Sequence, residues 1–131
     1  LIGTGATPAS LPALNLAEQQ LVSCANTYGS AGCSGGYSDE AINYMAAQNA
    51  TLESIYPYTS GSSGATGTCN RAVLAGTKSG QVVQLGGGST RVAANNEAAL
   101  KAAVAIQPTV VYFAVDNAFM YYSGGVYRSS T

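Results

Sequence analysis

The sequence predicts an α+β fold, and three observations carry that prediction. Residues 16–24 and the stretch that begins at Ser38 place apolar residues at helical spacing on one face, each with acids near its start. Around Gly76–Gly80 the texture changes, and β-type residues begin at Val82-Val83. Beyond a single further helical pattern, Thr109–Val115 is dense in β-branched and aromatic residues. A helical first half followed by a mainly β second half with one helix is the α+β order. The change of texture divides the chain into residues 1–80, mostly helical with a loop that can form a groove, and residues 81–131, the start of a β unit.

Residues 1–13 hold two glycines and two prolines and read as loop. Gly3-Thr4-Gly5 opens like a dinucleotide fingerprint, but Pro8 stands where the third glycine belongs and no acid follows at the required distance. In the helix at 16–24, Asn15 and Glu18 make a capping-box-like pair, with Leu16 and Leu21 on the buried side. Residues 25–37 form a loop. Ser38 then caps a second helix whose first turn holds Asp39 and Glu40, with Ile42, Met45 and Ala46 on its apolar face and Tyr44 in ordinary core.

Tyr56-Pro57-Tyr58 is extended, because proline restricts the residue before it. Ser60–Thr68 is rich in Gly and Ser and reads as the most exposed and mobile segment. Gly86-Gly87-Gly88 reads as a surface turn, since no Gly-Lys-Ser/Thr follows to cradle a phosphate. Asn96-Glu97 opens a third helix over Ala98–Ile106. Leu100, Ala103 and Val104 face inward, Glu97 and Lys101 pair at i, i+4, and Pro108 enforces the end. Thr109–Val115 is apolar at successive positions and is expected as a strand buried on both faces. Val126-Tyr127 belongs to a further strand.

Composition narrows the function. The chain has 131 residues, 47% of them apolar and 8% charged, with a formal net charge of −1. It has no basic patch to meet a phosphate backbone, so nucleic acid is not an expected partner. No apolar run approaches the ~20 residues that span a bilayer. Three cysteines and no histidine exclude a four-ligand Cys/His zinc site within the chain, and no cofactor is expected. The odd cysteine count implies one disulfide and one cysteine whose partner lies elsewhere. Disulfides belong to secretory, vacuolar or lysosomal compartments, and the sequon Asn49-Ala50-Thr51 offers a glycosylation candidate at Asn49 that agrees with this.

The stretch Gly32-Cys33-Ser34-Gly35-Gly36-Tyr37 carries the sharpest functional signal. Paired glycines let another backbone approach, because no Cβ intervenes. A tethered cysteine ahead of them fixes the pair, and the ring behind them gives an apolar wall. Such a loop suits an extended peptide, bound by main-chain hydrogen bonds and sorted by a side-chain pocket. It also suits a tethered turn with no ligand.

Taken in order, the motifs extend the peptide reading. Leu16-Ala17-Glu18-Gln19-Gln20-Leu21-Val22-Ser23-Cys24, the Gly32–Tyr37 hexapeptide, Glu53-Ser54-Ile55-Tyr56-Pro57-Tyr58 and Phe119-Met120-Tyr121-Tyr122-Ser123-Gly124-Gly125-Val126-Tyr127 stand in sequence, with Gly67-Thr68-Cys69 and Gln107-Pro108 between. They resemble the papain-like cysteine proteases, whose chains carry S-E-Q-x-L-V-D-C, G-C-x-G-G, E-x-Y-P-Y and F-x-x-Y-x-x-G-V-Y. The resemblance runs from about Leu14 to Val126, and it departs at Ala17, where the family usually has Ser.

The resemblance implies part of a two-subdomain fold, a helical subdomain facing a β-barrel-like one across a cleft. It implies that Gly35 and Gly36 bind substrate backbone, Gly36 by hydrogen bonds to the residue two before the scissile bond. Tyr37, Ser38 and Tyr112 would border that residue's pocket. Cys24 would pair with Cys69, and Cys33 with a cysteine upstream of this chain. Closing the Cys24–Cys69 loop contributes roughly 4 kcal/mol in the chain-entropy account. The family's nucleophile lies in a C-G-S-C-W-type segment, with histidine and asparagine roughly 130–150 residues downstream. Neither segment is present here, so the chain reads as the middle of a catalytic domain and is expected to be inactive alone. Residues 1–13 would then be the exit from the domain's central helix. The complete protein is expected to be a monomeric thiol peptidase, lysosomal, vacuolar or extracellular, acting on peptide or protein substrates, with a propeptide or protein inhibitor as a further occupant of the cleft. The alternative is a non-catalytic relative that binds peptides or serves a structural role.

Overall fold

Helix α1, Glu18–Cys24, is the centre of the computed structural model, which describes residues 15–128. The loop expected over residues 1–13 lies outside the described residues. The helix begins two positions later than its pattern predicts. Ala17 N–H donates to the Thr51 carbonyl at 3.0 Å, and Leu16 forms an antiparallel bridge with Leu52, so the chain enters from an extended segment. The Asn15–Glu18 capping box is not formed. Ala17 is the cap residue without a side-chain bond, and the Asn15 carbonyl instead accepts from Glu53 N–H at 2.8 Å.

The face of α1 that goes deepest is also not the one expected. Gln19, Gln20, Ser23 and Cys24 are buried, while Leu16 and Leu21 are half-buried. Burying an amide side chain is tolerable only when its donors and acceptor are met. Gln20, fully buried, meets that condition. Its Oε1 accepts from Thr51 N–H at 2.8 Å and Thr51 Oγ1 at 2.9 Å, and its Nε2 donates to the Asn49 carbonyl at 2.9 Å. Gln19 does the same for another segment. Its Oε1 accepts from Thr59 and Ser60 N–H, both at 2.8 Å, and its Nε2 donates to Ser60 Oγ at 2.8 Å and the Thr66 carbonyl at 3.2 Å. Ser23 Oγ also donates to Thr66 O at 2.6 Å.

Ser60–Thr68 is mostly exposed, as expected, but these bonds anchor it to α1 at Ser60 and Thr66. It begins with a helical turn, α3 (Ser60–Ser63), and Ser60 is buried. Its polar side chains are spent on fixing its own backbone and α1.

Around this polar centre sits a small apolar core of Ala17, Cys24, Ala25, Tyr44 and Tyr56, with Leu21, Tyr28, Met45, Val73 and Leu74 packed against it. Helix α2, Ser38–Gln48, supplies Tyr44, whose ring meets Tyr28 edge-on at 5.7 Å. Burial pushes the Tyr44 hydroxyl pKa up. Ser38 is the first helical residue rather than the cap; the Glu40 carboxylate accepts from Tyr37 N–H at 3.2 Å instead. Ile42, Met45 and Ala46 are half-buried, as an apolar face should be.

Strand β1, Ala50–Thr51, pairs antiparallel with β2, Val82–Val83, in the register Ala50↔Val83 and Thr51↔Val82. Between them, the short helix α4, Arg71–Ala75, is capped by Asn70, whose side-chain oxygen accepts from Val73 N–H at 3.2 Å. The Cys24–Cys69 disulfide, with an S–S distance of 2.07 Å, ties the start of this segment to α1.

Past β2 the chain changes character. Gly86 and Gly87 form an open bend, with nothing near the position a side chain would take. Helix α5, Glu97–Ile106, forms as read: Asn96 caps it through Ala99 N–H at 2.9 Å, and Glu97 pairs with Lys101 at 2.8 Å. Leu100 and Ala103 are half-buried, but Val104 is 55% exposed rather than inward.

Thr109–Val115 is not a strand. It runs without sheet partners, and Val110, Val111, Tyr112, Phe113 and Val115 are all at least half exposed. A strand needs a neighbour for its backbone groups and a layer for each apolar face. Among the described residues, neither is supplied to this stretch. Val126-Tyr127 is likewise irregular. The aromatic residues here gather locally instead: Phe119 meets Phe113 and Tyr127 edge-on, each at 4.9 Å, and stacks with Tyr122 at 5.6 Å.

Candidate functional site

The loop that leads into α2 is closed by its own backbone. Ala31 N–H donates to the Gly35 carbonyl at 2.8 Å, and Gly35 N–H to the Gly32 carbonyl at 3.1 Å. Cys33 N–H donates to Thr66 Oγ1 at 3.0 Å, which docks the loop on the segment held by Gln19. The Cys33 thiol is exposed and, among the described residues, has no disulfide partner.

The glycines have separate reasons to be glycine. Gly35 has φ +111°, a left-handed conformation that costs a residue with a Cβ. Gly36 lies close to Ser30: a Cβ there would run into Ser30 Oγ and sit 3.3 Å from Ser30 Cα. The peptide N–H and carbonyl of Gly36 make no hydrogen bond among the described residues. Tyr37 follows with its ring 67% exposed.

Directly beyond the loop is a cavity of about 1200 Å³ between the start of α2 and the segment around α5. Its wall includes Tyr37, Ser38 and Ile42 on one side and Leu100, Val110 and Tyr112 on the other. Three of the residues singled out from sequence, Tyr37, Ser38 and Tyr112, therefore meet at one cavity. Gly35 and Gly36 precede it on the loop and do not line it.

Tyr112 closes the gap between the walls. Its hydroxyl accepts from Ser38 N–H at 2.7 Å and donates to Ser38 Oγ at 2.7 Å. Two contacts that sequence reasoning missed run alongside. Arg91 pairs with Asp39 at 2.9 Å, and Asn43 Oδ1 accepts from Ser89 N–H at 2.8 Å and Ser89 Oγ at 3.1 Å. The Arg91 hydrogen bond holds the Asp39 carboxyl below its ordinary range. Pairs so far apart in the chain have no local spacing to announce them. The acidic first turn of α2 was the one available sign.

A second cavity, of about 270 Å³, lies beside Gln19, Ser23, Tyr56, Pro57 and Val73. Its buried Gln19 and Ser23 already bond each other at 2.7 Å. Asn49 is half-buried with φ +60°, and the hydroxyl of its sequon partner Thr51 is buried against Gln20. Among the described residues, no group of three or more His, Cys, Asp or Glu gathers as metal ligands, and no helix is long and apolar enough to cross a membrane.

Known proteins share this chain's pattern. Residues 7–131 match the papain family cysteine protease domain. Digestive cysteine proteinase 2 of Homarus americanus is 37% identical over 117 residues, which cover 87% of this chain and 33% of that protein. Pro-cathepsin H of Medicago truncatula is 39% identical over 121 residues, 90% of this chain and 31% of the relative. The chain thus spans about a third of the length of these curated relatives. Among solved structures, the Carica candamarcensis cysteine protease CMS1MS2, in complex with E-64, is 36% identical with a TM-score of 0.72, covering 89% of this chain and 50% of that one. Digestive procathepsin L 3 of the Tenebrio molitor larval midgut is 32% identical with a TM-score of 0.55, covering 70% and 27%.

Proposed function

The chain belongs to the papain family of cysteine proteases, and from that premise we propose that it forms one part of the substrate groove of a peptidase. In the complete protein, a cysteine thiolate from outside these residues attacks the peptide carbonyl carbon. The C–N bond breaks, the amine leaves with a proton from the histidine partner, and water then hydrolyses the thioester. The sequence contains no histidine, so no imidazole of this chain can activate a thiol. Its own contribution is binding. Gly36 hydrogen-bonds the substrate backbone two residues before the scissile bond, Gly35 gives the strand room, and Tyr37, Ser38 and Tyr112 border the side-chain pocket.

The observation that carries this reading is the unbonded Gly36 peptide placed one residue before the cavity wall. An added strand needs such unspent main-chain groups. Residues 1–80 and 81–131 would be the two sides of the cleft. A propeptide or protein inhibitor would occupy the same groove, as would be consistent with relatives that include a procathepsin and an E-64 complex. The Cys24–Cys69 disulfide favours a secretory, vacuolar or lysosomal compartment, where Cys33 would take a partner upstream and Asn49 a glycan added before β1 closes. The complete protein would act as a monomer.

The test is Gly36→Ala in the complete protein, with Gly86→Ala as the control in open space. Gly36→Ala is expected to raise KM for a fluorogenic peptide about tenfold, because its Cβ runs into Ser30 and turns the peptide group out of line with a substrate strand, a cost of roughly one backbone hydrogen bond. A KM within twofold of the parent for both variants would overturn the assignment.

A further inference from the structure

We propose that Asn43 is a positioning residue for peptide hydrolysis: its side-chain oxygen clips the segment from Gly88 to Arg91 onto α2, and so sets where the far wall of the cleft stands relative to the Gly36 loop. The proposal rests on the reading of this cleft as a peptide groove and gives that groove the fixed point from which its second wall is hung.

Three α2 residues bond the chain beyond β2: Ser38 meets Tyr112, Asp39 meets Arg91, and Asn43 meets Ser89. Asp39 and Asn43 stand four positions apart on α2, so ~6 Å separates them along the helix axis. Ser89 and Arg91 are alternate residues of a stretch without helix or turn, where side chains on one side recur every ~6.6 Å when the chain is extended. The two repeats match, and the pairs run in opposite order along the two segments. The segment therefore lies along α2 and does not merely cross it.

The Asn43–Ser89 contact is the closer fit of the two pairs. Asn43 Oδ1 accepts from Ser89 N–H at 2.8 Å and from Ser89 Oγ at 3.1 Å. Gly88 shows how near the backbone comes. A Cβ there would stand 2.5 Å from Asn43 Oδ1, whereas Gly86 and Gly87 face open space. Gly88 lacks the positive φ that would by itself call for glycine. Its glycine is explained by Asn43, which could swing aside only by giving up both Ser89 bonds. The Asp39–Arg91 pair is water-exposed at Arg91 and open to screening by salt.

What the clip holds is a wall of the cleft. Ser89 and Arg91 line the same cavity as Tyr37, and the chain runs on from them into α5, whose Leu100 lines it too. Releasing Ser89 lets that wall shift against the Gly36 loop. A groove of altered width then binds extended peptides less well, whatever their side chains. A loss shared by ground state and transition state raises KM and spares kcat.

Variants of the complete protein test this, with active sites counted by an irreversible thiol reagent so that only folded enzyme is scored. Asn43→Ala removes the acceptor, and Gly88→Ala pushes against it. Each is expected to raise KM about fivefold for peptides of differing side chains, with kcat within about twofold. Asn43→Asp keeps an oxygen for both Ser89 donors and is expected to hold KM within about twofold of the parent. Adding Gly88→Ala to Asn43→Ala is expected to cost nothing further, because the added methyl then has room. Amide exchange at Ser89 reads the clip itself. It is expected to be about fivefold faster in Asn43→Ala and to keep the parent rate in Asn43→Asp.

Unchanged Ser89 exchange in Asn43→Ala overturns the clip. Faster exchange with an unchanged KM, or with a fall in kcat alone, overturns its positioning role. An Asn43→Asp enzyme as impaired as Asn43→Ala overturns the part given to the oxygen, and a double variant worse than either single one overturns the fit of Gly88 on Asn43. A folded complete protein that hydrolyses no peptide overturns the peptidase reading and the positioning with it, while Ser89 exchange still decides whether the clip exists.

Discussion

Residues 84–128 are more apolar in sequence than residues 15–83, yet the two regions differ the other way in what their apolar groups achieve. Among the described residues, every buried one, from Ala17 to Ser60, belongs to the first region. That region closes on itself through a disulfide, a two-stranded ladder and two buried glutamines. In the second, Val110, Val111, Phe113, Met120 and Val126 are all more than half exposed. The difference shows that apolar content does not create a core; facing layers do. Where long-range polar partners and a crosslink hold elements together, even a small apolar cluster is enclosed. Where one chain segment supplies a single layer, the same residue types stay in water.

The comparison can be broken most forcefully at the disulfide. Cys24 and Cys69 are 45 residues apart, and loop-closure entropy for that span is worth about 4 kcal/mol. Paired Cys24→Ala and Cys69→Ala substitutions are expected to lower the urea midpoint of residues 15–83 by that equivalent, followed by far-UV circular dichroism. A shift below about 1 kcal/mol would show that the first region does not depend on its crosslink.

The second way is Gln20→Ala. It strands Thr51 N–H and the Asn49 carbonyl in the interior, and each orphaned group costs about 1–3 kcal/mol, so a loss near 3 kcal/mol is expected. Val111→Ser, on the exposed stretch, should cost no more than about 0.5 kcal/mol. Equal costs at the two positions would erase the distinction between the regions.

The smallest effect is at one of the contacts that join them, the Asp39–Arg91 pair. The Asp39 carboxyl is held below its usual range by Arg91, so its contribution to stability is present above the ordinary carboxylate pKa. It is lost as pH falls through the lowered value. Arg91 is 89% exposed, and salt should weaken the pair further. Asp39→Asn is therefore expected to abolish a slight acid-dependent loosening seen only at low salt, read by amide exchange at Ser89 and Arg91. An acid response that survives in Asp39→Asn would place its origin elsewhere.

What the sequence made legible follows the reach of each signal. Helices α1, α2 and α5 were readable because periodicity acts within four residues, and in α5 the Asn96 cap and the Glu97–Lys101 pair also appear where that logic puts them. The pairing of Cys24 with Cys69 was readable from motif order. Misreadings arose where the deciding partner was remote. Ser60–Thr68 has the composition of a free loop, but Gln19, some forty residues earlier, fixes it. Gln19 and Gln20 look like surface residues until their targets at Ser60 and Thr51 are known. Thr109–Val115 has the texture of a buried strand, but texture says only that a cover is wanted, not that one is present.

The central claim is that this chain supplies part of the groove while the thiol chemistry comes from elsewhere in the complete protein. Peptide hydrolysis measured side by side on the complete protein and on the 131-residue chain, before and after thiol alkylation, tests it most directly. The expected result is turnover by the complete protein alone, abolished by the alkylator. Alkylator-sensitive turnover by the 131-residue chain, or a folded complete protein inert toward every peptide tried, would contradict it.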